Sequence, residues 1–387
     1  MAIALGTDIL FDKGLLKGRR VGLVCNPASV DSAFRHVTER AAAGGMTVGA
    51  LFGPQHGIRS DVQENMIETP HGQDTARRVP VYSLYSETRE PTDEMLAGLD
   101  ALVIDLQDVG TRIYTYIYTM AYCLKAAART GLPVIVCDRP NPIGGVAIEG
   151  PMLEKGYESF VGLYPLPMRH GMTIGELARM FNEHFALGAK LEVIPMQGWS
   201  RDMYFEDTGL PFILPSPNIP NVESEVVYPG TVLFEGMNVS EGRGTTKPFE
   251  LLGAPWVTDP EAFARGLNAL GLPGVVFRPH SFEPTFHKHA KVRCGGCQIH
   301  VTDRTTFRSV ETGVAATIAF RDTGPDAFAW REPPYEYEYT LLPIDILYGS
   351  DKLRVGMDAG KAARAIAEDW TAPVRAFETL RSEFLLY

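Results

Sequence analysis

The sequence predicts an α/β protein: a Rossmann-like, doubly wound parallel sheet without a nucleotide motif, followed by a smaller C-terminal α+β domain. Three observations predict it. Through the first half, short apolar runs alternate with stretches of helical spacing, the pattern of a parallel sheet covered on both faces. Polar residues gather where those apolar runs end. Around Trp199 to Pro220 the texture turns to proline-rich, aromatic loop, and the remainder mixes isolated strands with helices. The domains are therefore placed at residues 1–205 and 206–387.

Taken in order, residues 20–26 read as a buried strand, a short apolar run ending in turn residues. Residues 31–43 have helical spacing, with Asp31 as the N-cap. Further strands are expected at 46–52, 79–83, 100–105, 133–138 and 191–196. A long helix is expected over 113–130, closed by Gly131 and Pro133. Thr173 and Glu176 form a capping box opening a helix that runs to about residue 187. In the second domain, helices are expected at 260–270 and 311–321, and strands at 275–277 and 298–302.

Composition narrows the function. Charged residues make up 21% and hydrophobic residues 45%, which suits a packed globular chain and argues against disorder. A net charge of −11 with no basic patch argues against a nucleic-acid partner. No apolar run approaches bilayer length, and Met1 to Asp8 lacks the features of a secretory leader, so the chain as given reads as cytoplasmic. The five cysteines read as small core residues, including the lone Cys294-Gly-Gly-Cys297, because no second pair completes a metal site. No metal is expected. The turn Asn26-Pro-Ala-Ser-Val-Asp31 carries no glycine for a pyrophosphate, and no P-loop, serine-hydrolase elbow or zinc-protease motif occurs, so no cofactor is expected either.

Ligands of open parallel sheets bind beyond the carboxyl ends of the strands. Those ends carry Asn26, then Gln55 and His56, then Asp105, Gln107, Asp108 and Arg112, then Asp138, Arg139 and Asn141. A second concentration lies in residues 233–256, where Glu235, Asn238, Ser240, Glu241, Arg243, Thr245, Thr246 and Lys247 are spaced by Gly236, Gly242 and Gly244. Two carboxylates, a guanidinium and several hydroxyls suit a sugar-binding or hydrolytic pocket better than a plain connection. His287 and His289, with no carboxylate pattern beside them, read as hydrogen-bonding residues.

The segments Phe52-Gly-Pro-Gln-His-Gly-Ile-Arg59, Asp105-Leu-Gln-Asp-Val-Gly-Thr-Arg112 with Tyr114-Thr-Tyr116, Asp138-Arg-Pro-Asn-Pro142, Glu149-Gly-Pro151, Arg169-His-Gly-Met-Thr173 and Phe234-Glu-Gly-Met-Asn-Val-Ser-Glu-Gly-Arg-Gly-Thr-Thr246, in this order, resemble the exo-β-N-acetylmuramidase (NamZ) family of glycoside hydrolases. The resemblance implies an active-site cleft between the two domains. It also implies release of N-acetylmuramic acid from the non-reducing end of peptidoglycan fragments, in cell-wall turnover and recycling. The expected partner is thus a small saccharide ending in N-acetylmuramic acid; the oligomeric state stays open. In one place the chain departs from the family pattern: the loop that there reads Pro-Glu-His-Gly, with the glutamate a candidate acid, has Gln55 here.

Glycoside hydrolysis usually uses two carboxyl groups flanking the scissile bond, and a substrate with an acetamido group opens a second route in which that group is the nucleophile and one carboxylate steers it. Glu241 is expected as one, with Glu235, Asp108 and Glu149 competing for the other, and His56 and His170 orienting them. A lactyl carboxylate suits a forked guanidinium, for which Arg112, Arg139, Arg169 and Arg243 are candidates. Gln55, Asp105, Tyr114, Asp138, Asn141, Asn218, Asn238, Ser240, Thr245 and Thr246 are the remaining candidate substrate contacts, and Tyr114, Tyr116 and Trp256 a candidate stacking wall. The rival reading is a non-catalytic muropeptide or amino-sugar binding protein, with Gln55 marking lost chemistry.

Overall fold

A computed structural model describes residues 3–64 and 66–387. Met1 and Ala2, the start of the stretch read above for a leader, lie outside the described residues, as does Asn65. The strands of the described chain are β1 (Arg20–Cys25), β2 (Thr47–Gly53), β3 (Gly72–Asp74), β4 (Val79–Ser83), β5 (Ala101–Asp105), β6 (Val134–Cys137), β7 (Glu149–Met152), β8 (Pro167–Arg169), β9 (Leu191–Ile194), β10 (Leu251–Ala254), β11 (Val275–Phe282) and β12 (Cys294–Val301).

Seven of them form one sheet in the order β3-β4-β2-β1-β5-β6-β9, parallel at every pairing but β3 with β4. β5 and β6 are buried along their whole length, as strands covered on both faces must be. From β1 the sheet grows outward in both directions, so the chain leaves the adjacent carboxyl ends of β1 and β5 toward opposite sides. That divergence opens the crevice in which such sheets bind ligands.

The expected strands are all present, and the Thr173–Glu176 capping box forms as read: Glu176 N–H donates to Thr173 Oγ1 at 3.3 Å and Thr173 N–H to Glu176 at 2.9 Å. Its helix, Ile174–Glu183, stops before residue 187. The helix expected from Asp31 starts later, at Val37–Ala43, with the His36 ring accepting from Thr38 N–H. Asp31 instead accepts from the backbone of Ala33 and Arg35 and pairs with Arg35 and Arg40, since a short carboxylate satisfied locally competes with helix initiation. The long helix is Tyr116–Thr130, ended by Gly131 at φ 73°, a left-handed turn that favours glycine.

The C-terminal half carries the antiparallel sheet β10-β12-β11 with helices Pro260–Ala269 and Ser309–Thr323. β11 and β12 are longer than read, and Cys294 and Cys297 are buried, unpaired residues of β12. A single apolar cluster joins the halves, running from Val24, Leu102 and Val136 of the parallel sheet through Val226 to Phe277, Val314 and Phe377. Arg112, fully buried, donates to the carbonyls of Leu347 and Tyr348, and the Tyr387 hydroxyl donates to Asp138 at 2.7 Å. Among the described residues no helix is long and apolar enough to cross a membrane.

One helix crossing fixes the position of the site. Helix Val222–Thr231, which contains Pro229, crosses Ser309–Thr323 so closely that a Cβ on Gly230 would lie 1.9 Å from the Ser309 carbonyl oxygen, and one on Gly313 would lie 2.2 Å from the Gly230 carbonyl oxygen. Ser309 Oγ accepts from Gly230 N–H and donates to the Val227 carbonyl, bridging the turn at Pro229. The helix leads directly into the tight turn Val232–Gly236 that carries Glu235. Gly230→Ala is expected to lower stability by about 1–3 kcal/mol through overpacking, read in a denaturant melt. An unchanged midpoint would show that the two helices have room to separate.

Candidate active site

A narrow cleft opens beyond the carboxyl ends of the parallel strands, where the C-terminal half closes over them. It is lined by Gln55 and His56 after β2, Ile113 to Thr115 ahead of the long helix, Ser216, Asn218 and Ile219 from the proline-rich loop, and Tyr228, Glu235, Arg243, Phe249, Tyr335 and Glu336. Asn26 and Tyr116, buried beneath, anchor that loop: the Asn26 amide donates to the Pro215 carbonyl at 2.8 Å and the Tyr116 hydroxyl at 2.7 Å. Asn218 exchanges hydrogen bonds with Gln63, fixing the other side of the entrance. Tyr114, Tyr228 and Phe249 form a connected aromatic wall, with ring centroids 6.4 and 4.7 Å apart.

Two carboxyl groups reach this cleft, in different surroundings. Glu235 accepts from Arg243 Nη2 at 2.5 Å and from the Tyr335 hydroxyl at 2.7 Å. Glu336 accepts from Gln55 Nε2 at 3.2 Å and from the Tyr85 hydroxyl at 2.8 Å. Burial, with Glu235 nearby adding to it, pushes the Glu336 carboxyl up to about 7, although the Tyr85 and Gln55 donors and Arg89 pull the other way. Glu336 also sits at φ 45°, a left-handed conformation uncommon for a residue with a side chain and found preferentially at functional sites.

His56, at φ 69°, bonds the Val62 carbonyl through Nδ1 at 2.7 Å. Burial holds its imidazole down to about 4, so near neutrality the ring is uncharged. A carbonyl only accepts, so Nδ1 carries the proton and Nε2 is left as an acceptor.

Of the residues read from the sequence as site candidates, Gln55, His56, Tyr114, Asn218, Glu235 and Arg243 are brought together here. The others are engaged elsewhere. Glu241 is fully buried beside the cleft, with Lys288 Nζ at 2.6 Å, Arg243 Nε at 3.1 Å and His287 Nδ1 at 3.4 Å. Burial alone would raise its carboxyl, but Lys288, His287 and Arg243 outweigh it and hold Glu241 down to about 2. Asp108 accepts from Gly110 N–H and faces His170, whose Nδ1 accepts from Met172 N–H. Glu149 accepts from the Val310 and Glu311 amides at the start of helix Ser309–Thr323.

Asp105 and Arg139 form a buried bidentate pair. Asp138 takes the hydroxyls of Thr173 and Tyr387. Asn141 donates to the Met172 carbonyl, and Arg169 to the Ile143 carbonyl and the Tyr204 hydroxyl. Asn238 is tied to Ala327 and Ala329, Ser240 accepts from Gly242 N–H, Thr245 donates to the Gly242 carbonyl, and Thr246 is exposed. Tyr116 lies behind the wall, and Trp256 donates to the Phe320 carbonyl outside the cleft. His289 bonds the Asn238 carbonyl, in keeping with a hydrogen-bonding residue.

Tyr335 and Glu336 were missed, and so were Tyr85 and Tyr228. The available signal was the alternation Tyr335-Glu-Tyr-Glu-Tyr339 after two prolines, which reads equally well as an exposed edge strand. Two wider depressions are also present, one of them at the carboxyl ends of β2 and β4. One is lined by Glu149, Arg308, Trp370 and Arg375 among the C-terminal helices, the other by His36, Arg59, His71 and Arg77 beside β2 and β4. The narrow cleft is preferred on its chemistry, since it gathers two buried carboxyl groups, Glu235 and Glu336, with the Arg243 guanidinium.

Two family profiles match end to end: exo-β-N-acetylmuramidase NamZ, N-terminal, over residues 21–223, and its C-terminal counterpart over residues 226–387. The chain belongs to the NamZ family. It is 47% identical to the peptidoglycan β-N-acetylmuramidase NamZ of Bacillus subtilis (strain 168), across all of this chain and 91% of that protein. Two crystal structures of DUF1343 family proteins from Bacteroides fragilis NCTC 9343 superpose with TM-scores of 0.90 and 0.77, at 34% and 26% identity. Each match covers all of this chain and 99% of the other. The α/β architecture with a separate antiparallel C-terminal sheet is thus the two-domain NamZ fold.

Removing Glu241's charge leaves Lys288 and Arg243 buried without their shared anion. Glu241→Gln is expected to cost about 3–5 kcal/mol at pH 7, the usual penalty for breaking a buried pair. Because the folded-state carboxyl is held below its ordinary value of 4.5, its stabilisation is present above that pH and lost as pH falls through about 2. The two proteins' melting midpoints should therefore converge toward pH 2. A constant gap from pH 7 to pH 2 would contradict the ionised assignment.

Proposed function

We propose that this chain is an exo-β-N-acetylmuramidase that hydrolyses the bond between a terminal N-acetylmuramic acid and the rest of a peptidoglycan fragment. It acts in cell-wall turnover. The observation that carries the reading is the end-to-end similarity to a β-N-acetylmuramidase, combined with a cleft at the carboxyl ends of the parallel strands that gathers Glu235 and Glu336. A glycosidase requires two carboxyl groups on opposite sides of one bond, and these two come from separate segments of the C-terminal half.

Glu235, rather than Glu241, is the carboxylate that the glycine-rich loop contributes to the reaction. It is ion-paired with Arg243 and accepts from Tyr335, an arrangement that fixes its orientation toward the sugar. Glu241 supports Arg243 from behind. Tyr114 and Tyr228 supply the face on which a pyranose stacks, and Ser216 and Asn218 supply neutral donors and acceptors for its hydroxyl and acetamido groups. Gln55 does not mark a dead site, because the cleft retains a carboxyl group in contact with its amide.

The test is turnover of para-nitrophenyl β-N-acetylmuramide beside the N-acetylglucosamine analogue. The muramide alone should be cleaved, and Glu235→Gln should lower kcat by about 100-fold or more. Binding of N-acetylmuramic acid without any turnover would instead establish the binding-protein reading.

A further inference from the structure

We infer that Glu336 is the proton donor to the leaving sugar, and that Gln55 has become its positioning residue. The inference rests on the muramidase reading and assigns roles within that same cleft. Its basis is a three-part hydrogen-bond chain. The Thr115 hydroxyl donates to Gln55 Oε1 at 2.7 Å. The amide's NH2 then donates to Glu336 Oε1 at 3.2 Å. The Tyr85 hydroxyl holds the other oxygen, Oε2, at 2.8 Å. A glutamate at position 55 would have no proton to donate in its ionised form and would repel Glu336; glutamine donates without adding charge.

The backbone points the same way. Glu336 and Tyr337 both adopt left-handed conformations, at φ 45° and 68°, between the paired Tyr335 and Glu338. Arg89, stacked 3.4 Å over the Tyr337 ring, packs this turn against the segment carrying Tyr85. Strain of this kind persists only where the surroundings over-determine it. Here it places a buried carboxyl, not a solvated one, at the cleft wall.

In the reaction, the Glu336 proton passes to the glycosidic oxygen as the C1–O bond breaks and the bonding pair leaves with that oxygen. The departing sugar leaves as an alcohol and Glu336 as a carboxylate. Water supplies the hydroxyl group to C1, and its proton restores Glu336. A carboxyl held near 7 is protonated in a useful fraction of molecules at neutral pH, which an ordinary glutamate is not.

The experiment compares two leaving groups on the full chain. Glu336→Gln should lower kcat on a N-acetylmuramic acid–N-acetylglucosamine disaccharide by about 100-fold or more, while 2,4-dinitrophenyl muramide, whose leaving group needs no proton, should lose less than about 10-fold. Gln55→Ala keeps the carboxyl but removes a donor to its ionised form, so the basic limb of the kcat/KM profile should move to higher pH. A merely structural role for Gln55 would leave that limb in place. Equal losses on both substrates, full disaccharide activity in Glu336→Gln, or an unmoved limb in Gln55→Ala would each overturn the assignment. If the unmutated chain cleaves neither substrate, the muramidase reading itself falls and the assignment falls with it.

Discussion

Arg243 stands between two glutamates, and the architecture of the cleft depends on that position. One face of its guanidinium reaches Glu235 at 2.5 Å and another reaches Glu241 at 3.1 Å, while Lys288 closes the row at 2.6 Å from Glu241. Glu235, Glu241 and Arg243 are buried, and Lys288 is largely so. Burying any one of them alone would cost several kcal/mol, so they are stable only as a set whose charges alternate. The segments that carry them, residues 235–243 and 287–288, therefore cannot move independently. Lys288 adds to this by donating to the Phe234 and Met237 carbonyls, which pins the turn holding Glu235.

This row gives the two glutamates of the glycine-rich loop different work. Glu241 is surrounded by cations and serves as a permanent anion that orients Arg243. Glu235 takes the free end of that guanidinium and presents itself to the cleft. In the same cleft, Glu336 is hydrogen-bonded by neutral donors, Gln55 and Tyr85. The cleft thus holds two carboxyl groups in unlike surroundings, one ion-paired and one held by neutral hydrogen-bond donors. The closeness of the Gly230–Gly313 helix crossing matters for the same reason, since it sets where Tyr228 and Glu235 stand relative to the sheet.

Much of the fold was legible because its signals are local. Short β-branched apolar runs bounded by turn residues, such as Val134–Cys137 after Gly131 and Pro133, read as buried strands, and the Thr173–Glu176 capping box names its helix start without tertiary help. Asp31 misled because a short carboxylate serves a turn as readily as a helix. The site was legible only in part. Gln55, His56 and Glu235 were visible from motif composition, but the same motifs also contain Asp105 and Arg169, which brace the first half from inside, and Arg112 and Asp138, which tie it to the C-terminal half. Composition does not distinguish a polar residue that faces a ligand from one that faces a buried carbonyl. Glu336 was invisible for a further reason: its partners lie 251 and 281 positions away in the chain, and nothing local marks its burial.

The proposed function requires the sugar to sit where Glu235, Gln55 and Glu336 converge. A crystal structure of the chain soaked with N-acetylmuramic acid tests it most directly. The pyranose is expected against Tyr114 and Tyr228, with its anomeric oxygen within hydrogen-bond distance of Glu336 and the opposite face toward Glu235. Sugar bound instead in the groove beside Trp370 and Arg375, or in the depression beside His71 and Arg77, with this cleft empty, would contradict it.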